Sequence, residues 1–247
     1  MIDKAAYIGS TGAKNSMRRL AVITNNLANA NTVGFRADLD AMKAFHKDAS
    51  SKLKSRDFAT FEGTFSNFKI GPVLSTGRDL DISVDGPGFI AVQNASGQEG
   101  YTRAGNLNLR QDGFLVTASG DMVLGNGGPI SLPPVEKISI GTDGTISVRM
   151  PGTQDMVTIN RLKLTDPDLH GLHKGHDGLF YMQEGEVAPL SESTHLVPRS
   201  LEGSNVNPIE TLTQIIDLSR NYEVHTKLLK TMADNSSKAN QMLSISS

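Results

Sequence analysis

The sequence predicts an α+β chain: a helix at each end, the two pairing as a coiled-coil-like axial domain, around a central all-β domain. Two observations carry this. Small and apolar residues recur at spacings of three and four near both termini, as on one face of a helix. Between them, short apolar runs alternate with turn signals roughly every ten residues, the pattern of a compact β domain. A length of 247 residues is enough for one large or two small domains. The predicted division is an axial helix over 1–34, a connector over 35–76, a β domain over 77–203 and a second axial helix over 204–247.

In the first helix the expected seam is Ala6, Ser10, Ala13, Met17, Leu20, Thr24 and Leu27. It ends in "NNLANANTVGF", where Asn25, Asn26, Asn29 and Asn31 crowd a helix that Asn disfavours. Asn29 and Asn31 tolerate left-handed backbone and Gly34 adopts it freely, so the stretch is a helix stop. From Phe35 to Thr76 the periodicity fades into a connector, extended in part.

The β domain is read from runs such as "DLDISV", "GFIAVQN", "GYTRAG", "FLVTAS", "MVLGN" and "MVTINRLKL". "SIGTDGTISV" is the clearest hairpin, with Asp143-Gly144 between alternating strands. The last helix opens on Asn207 as N-cap, Pro208 at the first helical position and Glu210 placed to complete a capping box. Its seam is Ile215, Leu218, Tyr222, His225, Leu229, Met232, Ser236, Ala239 and Leu243. Both seams are thin and partly polar. A two-helix pair leaves half of each wet, so the termini are expected to need helices from other copies of the chain.

A formal net charge of -2 implies no general attraction to nucleic acid or acidic membrane. The absence of Cys excludes disulfides, thiolate catalysis and Cys-ligated metal. Aromatics make up 5% and Trp is absent, so stacking platforms for bases or sugars are scarce. No apolar run is long enough to span a bilayer. The N-terminal "MIDKAAYIGSTGAKNSMRRL" is too polar for a secretory signal, so the chain is expected to be soluble and either cytosolic or exported by an unusual route.

Several residues invite chemistry. His170, His173 and His176 with Asp177 suggest zinc, but two Gly interrupt the run and a solvated loop explains it. Asp79 and Asp81 in "DLDISVD", which also holds Asp85, offer a carboxylate pair for acid–base work; the polar outer face of a strand explains them as well. "GNGG" at Gly125–Gly128 lacks the Lys and helix of a phosphate loop. Ser204 lacks a nucleophile-elbow context and reads as linker. Arg103 in "YTRAGN" either bridges to a neighbour's carboxylate or sits on a hairpin end. His225 reads as a packed polar residue and Tyr222 as core. No catalytic residue, metal or cofactor is predicted.

Three stretches carry a resemblance. "NNLANANTVGF" resembles the N-terminal signature of the bacterial flagellar rod and hook axial proteins, and "LEGSNVNPIETLTQIIDLSRNYEVHTKLLKTMADNSSKANQMLSIS" resembles their C-terminal one. "DLDISVDGPGFIAVQN…GYTRAGNLNLRQDGFLVTASGDMVLGNGGPI" is similar to their β domain. One departure is Val33, where the family often has Pro; Gly34 keeps the turn. The resemblance implies a non-enzymatic structural subunit of the flagellar basal-body rod, stacked head to tail around a channel, with both terminal helices forming the inner tube. It implies partners among other rod proteins, proximal and distal, and copies of the chain itself, with the flagellar type III export apparatus in transit. It implies no nucleic acid and no membrane insertion.

Carried onto this sequence, the assembly surface would comprise Met17, Leu20, Leu27, Asn25, Asn26, Asn29, Asn31, Gly34 and Phe35 at one end. At the other it would comprise Asn205, Asn207, Pro208, Ile215, Leu218, Tyr222, Leu229, Met232 and Leu243. The Asn side chains, donor and acceptor together, would satisfy backbone groups of the next copy; the alternative is that they cap their own helix and face solvent. Two other readings stand beside this one: a distal rod or hook-like relative, and a secreted β-domain enzyme or carbohydrate-binding protein with helical tails.

Overall fold

A computed structural model describes the backbone of residues 2–46, 57–183 and 186–245, and the side chains of 9–40, 63–183, 186–235, 237, 238 and 241. The chain forms two compact units: Met1–Ala28, Asp38–Phe65 and Asn207–Ser247 make the first, Asn29–Ala37 and Ser66–Val206 the second.

The first unit contains both long helices, α1 (Ile2–Ala28) and α2 (Pro208–Ile245), and a two-stranded ribbon of β1 (Asp38–His46) and β2 (Asp57–Ser66). The ribbon lies in the stretch where the sequence periodicity fades. The helices are antiparallel and meet on glycine. A methyl group added at Gly9 would stand 3.0 Å from Leu229 Cδ2, and one at Gly12 only 2.6 Å from His225 Cε1. Missing Cβ atoms let the Leu229 and His225 side chains lie directly against the α1 backbone.

This corrects the predicted α1 seam. Ser10, Met17 and Thr24 are exposed, and the buried row is Gly9, Ser16 and Ile23, each one residue earlier, continued by Asn26. Leu20 and Leu27 flank it, half-buried. The spacing is that of the prediction and the phase differs, because a glycine-lined face admits a helix more closely than a face holding Met17. On α2 the predicted seam holds. Leu218 is buried with Thr211 before it, and Ile215, Tyr222, His225, Leu229 and Met232 are half-buried. The side chains of Ala6, Ser236, Ala239 and Leu243 lie outside the described residues.

The second unit is β, and each run read from the sequence contains a strand. In chain order come β3 (Val73–Ser75), β4 (Ile82–Asp85), β5 (Phe89–Gln93) and β6 (Glu99–Thr102), followed by further short strands. A nine-stranded sheet is built around β5, which pairs antiparallel with β6, Met122–Gly125 and Leu164–Thr165. β5 is apolar from Phe89 to Val92 because both its faces are covered there. Ile90 and Val92 face a core with Ile82, Leu107, Leu115 and Val123. Phe89 and Ala91 face a second cluster with Tyr101, Phe180 and Ala188, where the Phe68, Phe89 and Phe180 rings pack with centroids 5.4–6.2 Å apart.

The predicted hairpin joins Lys137–Ile140 to Thr145–Arg149, with Gly144 at φ 83° and the Asp143 carboxylate accepting from the Thr145 amide at 3.1 Å. "GNGG" is a tight hairpin in which Gly125 pairs with Gly128. The end of this unit returns to its beginning: His195–Pro198 pairs with β4, and Ser200–Glu202 with β3.

Ile90 has no exposed surface and lies at the centre of the sheet. Truncation by Ile90→Ala is expected to destabilise the β unit by about 2–5 kcal/mol, the range for a large aliphatic side chain in a core that cannot collapse. Urea unfolding followed by β-sheet circular dichroism measures it, and a loss below about 1 kcal/mol would contradict this account of the core.

Candidate assembly site

The Asn-rich end of α1 has a clear local chemistry. Asn26 is buried, and its amide makes two hydrogen bonds to one residue: Nδ2 donates to the Asp38 carbonyl at 2.7 Å, and Oδ1 accepts from the Asp38 amide at 2.8 Å. A side-chain amide thus stands in for a strand neighbour and fixes the start of β1. In the second unit, Asn29 closes the turn beyond the helix, its carbonyl accepting from Thr32 N–H and its side chain from Thr32 Oγ1, both at 3.1 Å. Asn25 and Asn31 are exposed.

Gly34 has φ 70°, and a Cβ there would come within 2.4 Å of the Arg103–Ala104 peptide, so both the backbone conformation and the space demand glycine. This close approach leads into a buried ionic clasp. Arg36, Arg103 and Glu202 are 1%, 2% and 0% exposed. Arg36 Nη1 lies 2.6 Å from Glu202 Oε1, which also accepts from the Gly71 amide at 2.8 Å. Arg103 Nη1 donates to Glu202 Oε2 at 3.0 Å and to the Val84 carbonyl at 2.9 Å, and its Nη2 donates to the Gly86 carbonyl. The Gly34 amide donates to the Glu202 carbonyl at 2.8 Å. One carboxylate therefore joins four segments distant in sequence.

The Arg103 guanidinium lies 5.3 Å from the Phe89 ring centroid. Burial pushes its pKa down to about 10, against the opposing pull of Glu202, so it remains a cation at neutral pH. The sequence left Arg103 between a neighbour's carboxylate and a hairpin end; its carboxylate is Glu202 of its own chain.

Asn205 adds a neutral tie: Oδ1 accepts from the Ala37 amide at 2.8 Å, and Nδ2 donates to the Asn67 and Lys69 carbonyls at 2.7 and 2.9 Å. In the first unit Asn207 caps α2, its Oδ1 accepting from the Ile209 amide at 3.1 Å. Glu210 does not close the expected box: its carboxylate accepts from Gln214 Nε2 at 3.3 Å, one turn on.

The candidate chemistry resolves into structure. The predicted face shared by Asp79 and Asp81 does not form, because β4 begins only at Ile82. Asp81 is buried, bonded to Thr76 Oγ1 at 2.7 Å and Arg78 Nη1 at 2.8 Å, whereas Asp79 pairs with Arg199 Nε at 2.8 Å. Each carboxylate has its own cation. In the His-rich stretch, read as a solvated loop, His173–Lys174 pairs with Phe180–Tyr181. Asp177 accepts from the Tyr181 hydroxyl, whose pKa burial and this bond push up to about 12. Lys174, which the sequence reading missed, lies 3.9 Å from the Phe35 ring centroid and donates to the Arg36 carbonyl at 2.9 Å. Among the described residues no group of three metal-ligating side chains comes together. Ser204 is buried and its hydroxyl accepts from the Val206 amide.

Comparison with known families matches these regions in turn. Residues 7–36 match the flagella basal body rod protein family, 83–148 the D1 domain of the flagellar hook protein FlgE/F/G family, and 197–242 the C-terminal region of the flagellar basal body rod FlgEFG proteins. The flagellar basal-body rod protein FlgF of Salmonella typhimurium is 36% identical over 99% of this chain and 100% of its own length. FlgF of Escherichia coli is 35% identical over the same shares, and the rod protein FlgG of Bacillus subtilis is 33% identical over 92% of this chain and 94% of its own. The chain belongs to the flagellar basal-body rod protein family. It is a structural subunit of the flagellar basal body, and its partners are other rod and basal-body proteins. No described helix of this rod protein is long and apolar enough to cross a membrane.

The clasp links all three matched regions: Arg36 lies in the first, Arg103 in the second and Glu202 in the third. Sequence reasoning missed Arg36 and Glu202. The available signal was a lone charge set among Gly and apolar residues, in "VGFRA" and "SLEGS". Of the predicted assembly residues, Met17, Asn25, Asn31, Asn207 and Pro208 are exposed, while Asn26, Gly34 and Leu218 are buried within the chain.

Glu202→Gln leaves two buried guanidinium groups without a counter-charge. It is expected to destabilise the β unit by about 3–5 kcal/mol, the loss typical of breaking a buried ion pair. Thermal and urea unfolding of the full chain provide the readout, and a shift under about 1 kcal/mol would remove the clasp from this account.

Proposed function

We propose that this rod protein works as an axial subunit whose terminal helices pair as a coiled-coil-like element and interlock with those of neighbouring subunits. The β domain forms the outer layer of a hollow shaft that transmits torque. The observation that supports this most is the antiparallel fit of α1 on α2, with Gly9 and Gly12 against Leu229 and His225. Helices from opposite ends of the chain share a face shaped for close approach. A pair of this kind is marginal alone in water and gains from further helices. Head-to-tail contacts that do not close into a ring then generate a filament.

The partners proposed are copies of the same chain and other rod proteins, proximal and distal, with the flagellar export apparatus acting on the unfolded chain in transit. The function is mechanical and requires no catalytic residue. Exposed Met17, Asn25 and Asn31 on one side and Asn207 and Pro208 on the other are the residues placed to meet neighbours.

In cells lacking the gene, the full chain is expected to restore swimming and hook formation, and residues 1–206 are expected to restore neither. Recovery of motility by the tail-less chain would overturn the proposal. A finer test is Gly12→Leu, whose side chain would collide with the His225 ring. Motility should fall severely while the melting of the β unit stays within about 1 °C of wild type, since the change touches no residue of that unit.

A further inference from the structure

We propose that residues 195–205 are a latch on folding: the β unit stays unfolded until this late segment arrives, so a chain delivered from its first residue forms its body only once Asn205 has followed. The proposal goes beyond the axial reading and does not depend on it. All the contacts involved lie within the second unit. His195–Pro198 is the strand partner of β4, with Leu196 opposite Val84 and Pro198 opposite Ile82, and Ser200–Glu202 is the strand partner of β3. Neither β3 nor β4 has another partner among the described strands. Leu196 is buried in the core with Ile82, Val84 and Ile90, and its amide donates to the Thr142 carbonyl at 2.8 Å. Glu202 supplies the carboxylate for Arg36 and Arg103. Asn205 ties Ala37 to Asn67 and Lys69.

Without this segment the rest of the unit opposes its own folding. Arg36 Nη1 and Arg103 Nη1 lie 2.6 and 3.0 Å from the two oxygens of one carboxylate, so its absence leaves two buried like charges facing each other. β4 keeps Ile82, Ser83 and Val84 buried but loses the peptide groups that pair with its own. The core loses Leu196 from its wall. A stripped core, an unpaired ladder and buried charges without a counter-charge are the changes that destabilise most, and together they exceed the narrow margin by which a domain is stable. No nearer residue replaces them, because the ties are long: Asn205 and Ala37 stand 168 positions apart, and Glu202 and Arg103 stand 99 apart. Contacts of that separation form only when both ends of the unit are present.

A protease site inserted between Glu192 and Ser193, both exposed, lets the folded full chain be cut just ahead of the latch. The two pieces are then unfolded in urea, separated and returned to buffer. Residues 1–192 alone are expected to show no cooperative melt by β-sheet circular dichroism, and adding back 193–247 is expected to restore it. The same piece carrying Glu202→Gln should be needed at about a hundredfold higher concentration, the scale of breaking a buried ion pair. In the uncut chain, Leu196→Asp together with Glu202→Gln should abolish the cooperative melt of the β unit. A cooperative melt of 1–192 alone, no recovery on adding 193–247, or a β unit that still melts cooperatively in the uncut double variant each overturns the latch. None of these results bears on the axial reading, which the motility of the tail-less chain decides.

Discussion

Much of the second unit depends on one buried carboxylate. Glu202 has no access to water, yet it faces two guanidinium groups that have almost none. Removing these charges from water is expensive, and their attraction offsets the penalty only where geometry and extra hydrogen bonds are good. Here the Gly71 amide and the Val84 and Gly86 carbonyls supply some of those bonds. Arg36 Nε and Nη2 find no acceptor among the described residues, so the clasp is not a pure gain in stability. What it contributes is uniqueness. A hydrophobic plug would accept many arrangements of residues 34–36, 71, 103 and 202, whereas two guanidinium forks around one carboxylate accept very few.

Glycine has the complementary role. Gly34 is held at positive φ against the Arg103 peptide, and without that approach Arg36 would not reach Glu202. At Gly105 a Cβ would meet the Ile82 carbonyl at 1.8 Å, and at Gly71 the Gly203 carbonyl at 2.1 Å. These positions bring backbone against backbone, which side chains prevent. In the first unit, Gly9 and Gly12 instead leave room for the Leu229 and His225 side chains. Close approach in each unit is therefore written as missing Cβ atoms more than as large apolar surfaces, in keeping with a chain that has no Trp and few aromatics.

The features legible in the sequence were those with a period. The seam of α2, the hairpin around Asp143-Gly144 and the continuous apolar run of β5 follow from local pattern, and the structure has all three. The phase of α1 was misplaced by one residue because periodicity weights large apolar side chains, and Met17 outranks Gly9 and Gly12 on any such scale. The pairing of β1 with β2 left little trace, since no regular alternation marks 35–76 in the sequence. Asp79 and Asp81 were assigned to one strand face because alternation alone cannot show where a strand begins. Arg36, Glu202 and Lys174 were invisible for a different reason: their partners lie far away in sequence, and only the fold brings a charge to its counter-charge.

The asparagines join these threads. Asn disfavours helices because its side chain competes for backbone hydrogen bonds, and that competition is what the chain ends use. Asn26 binds the amide and the carbonyl of Asp38, Asn205 binds backbone groups of three residues in the second unit, and Asn207 caps α2. Each replaces a backbone neighbour where regular structure stops, so an irregular junction keeps its peptide groups satisfied without adding strands or helices. With Asn26 and Asn205 engaged inside the chain, any outward role falls to Asn31 and to the exposed faces of the two helices. Under the proposed axial assembly, this leaves neighbour contacts to side chains outside the Asn26 and Asn205 junctions, so folding and assembly would be separable by mutation there.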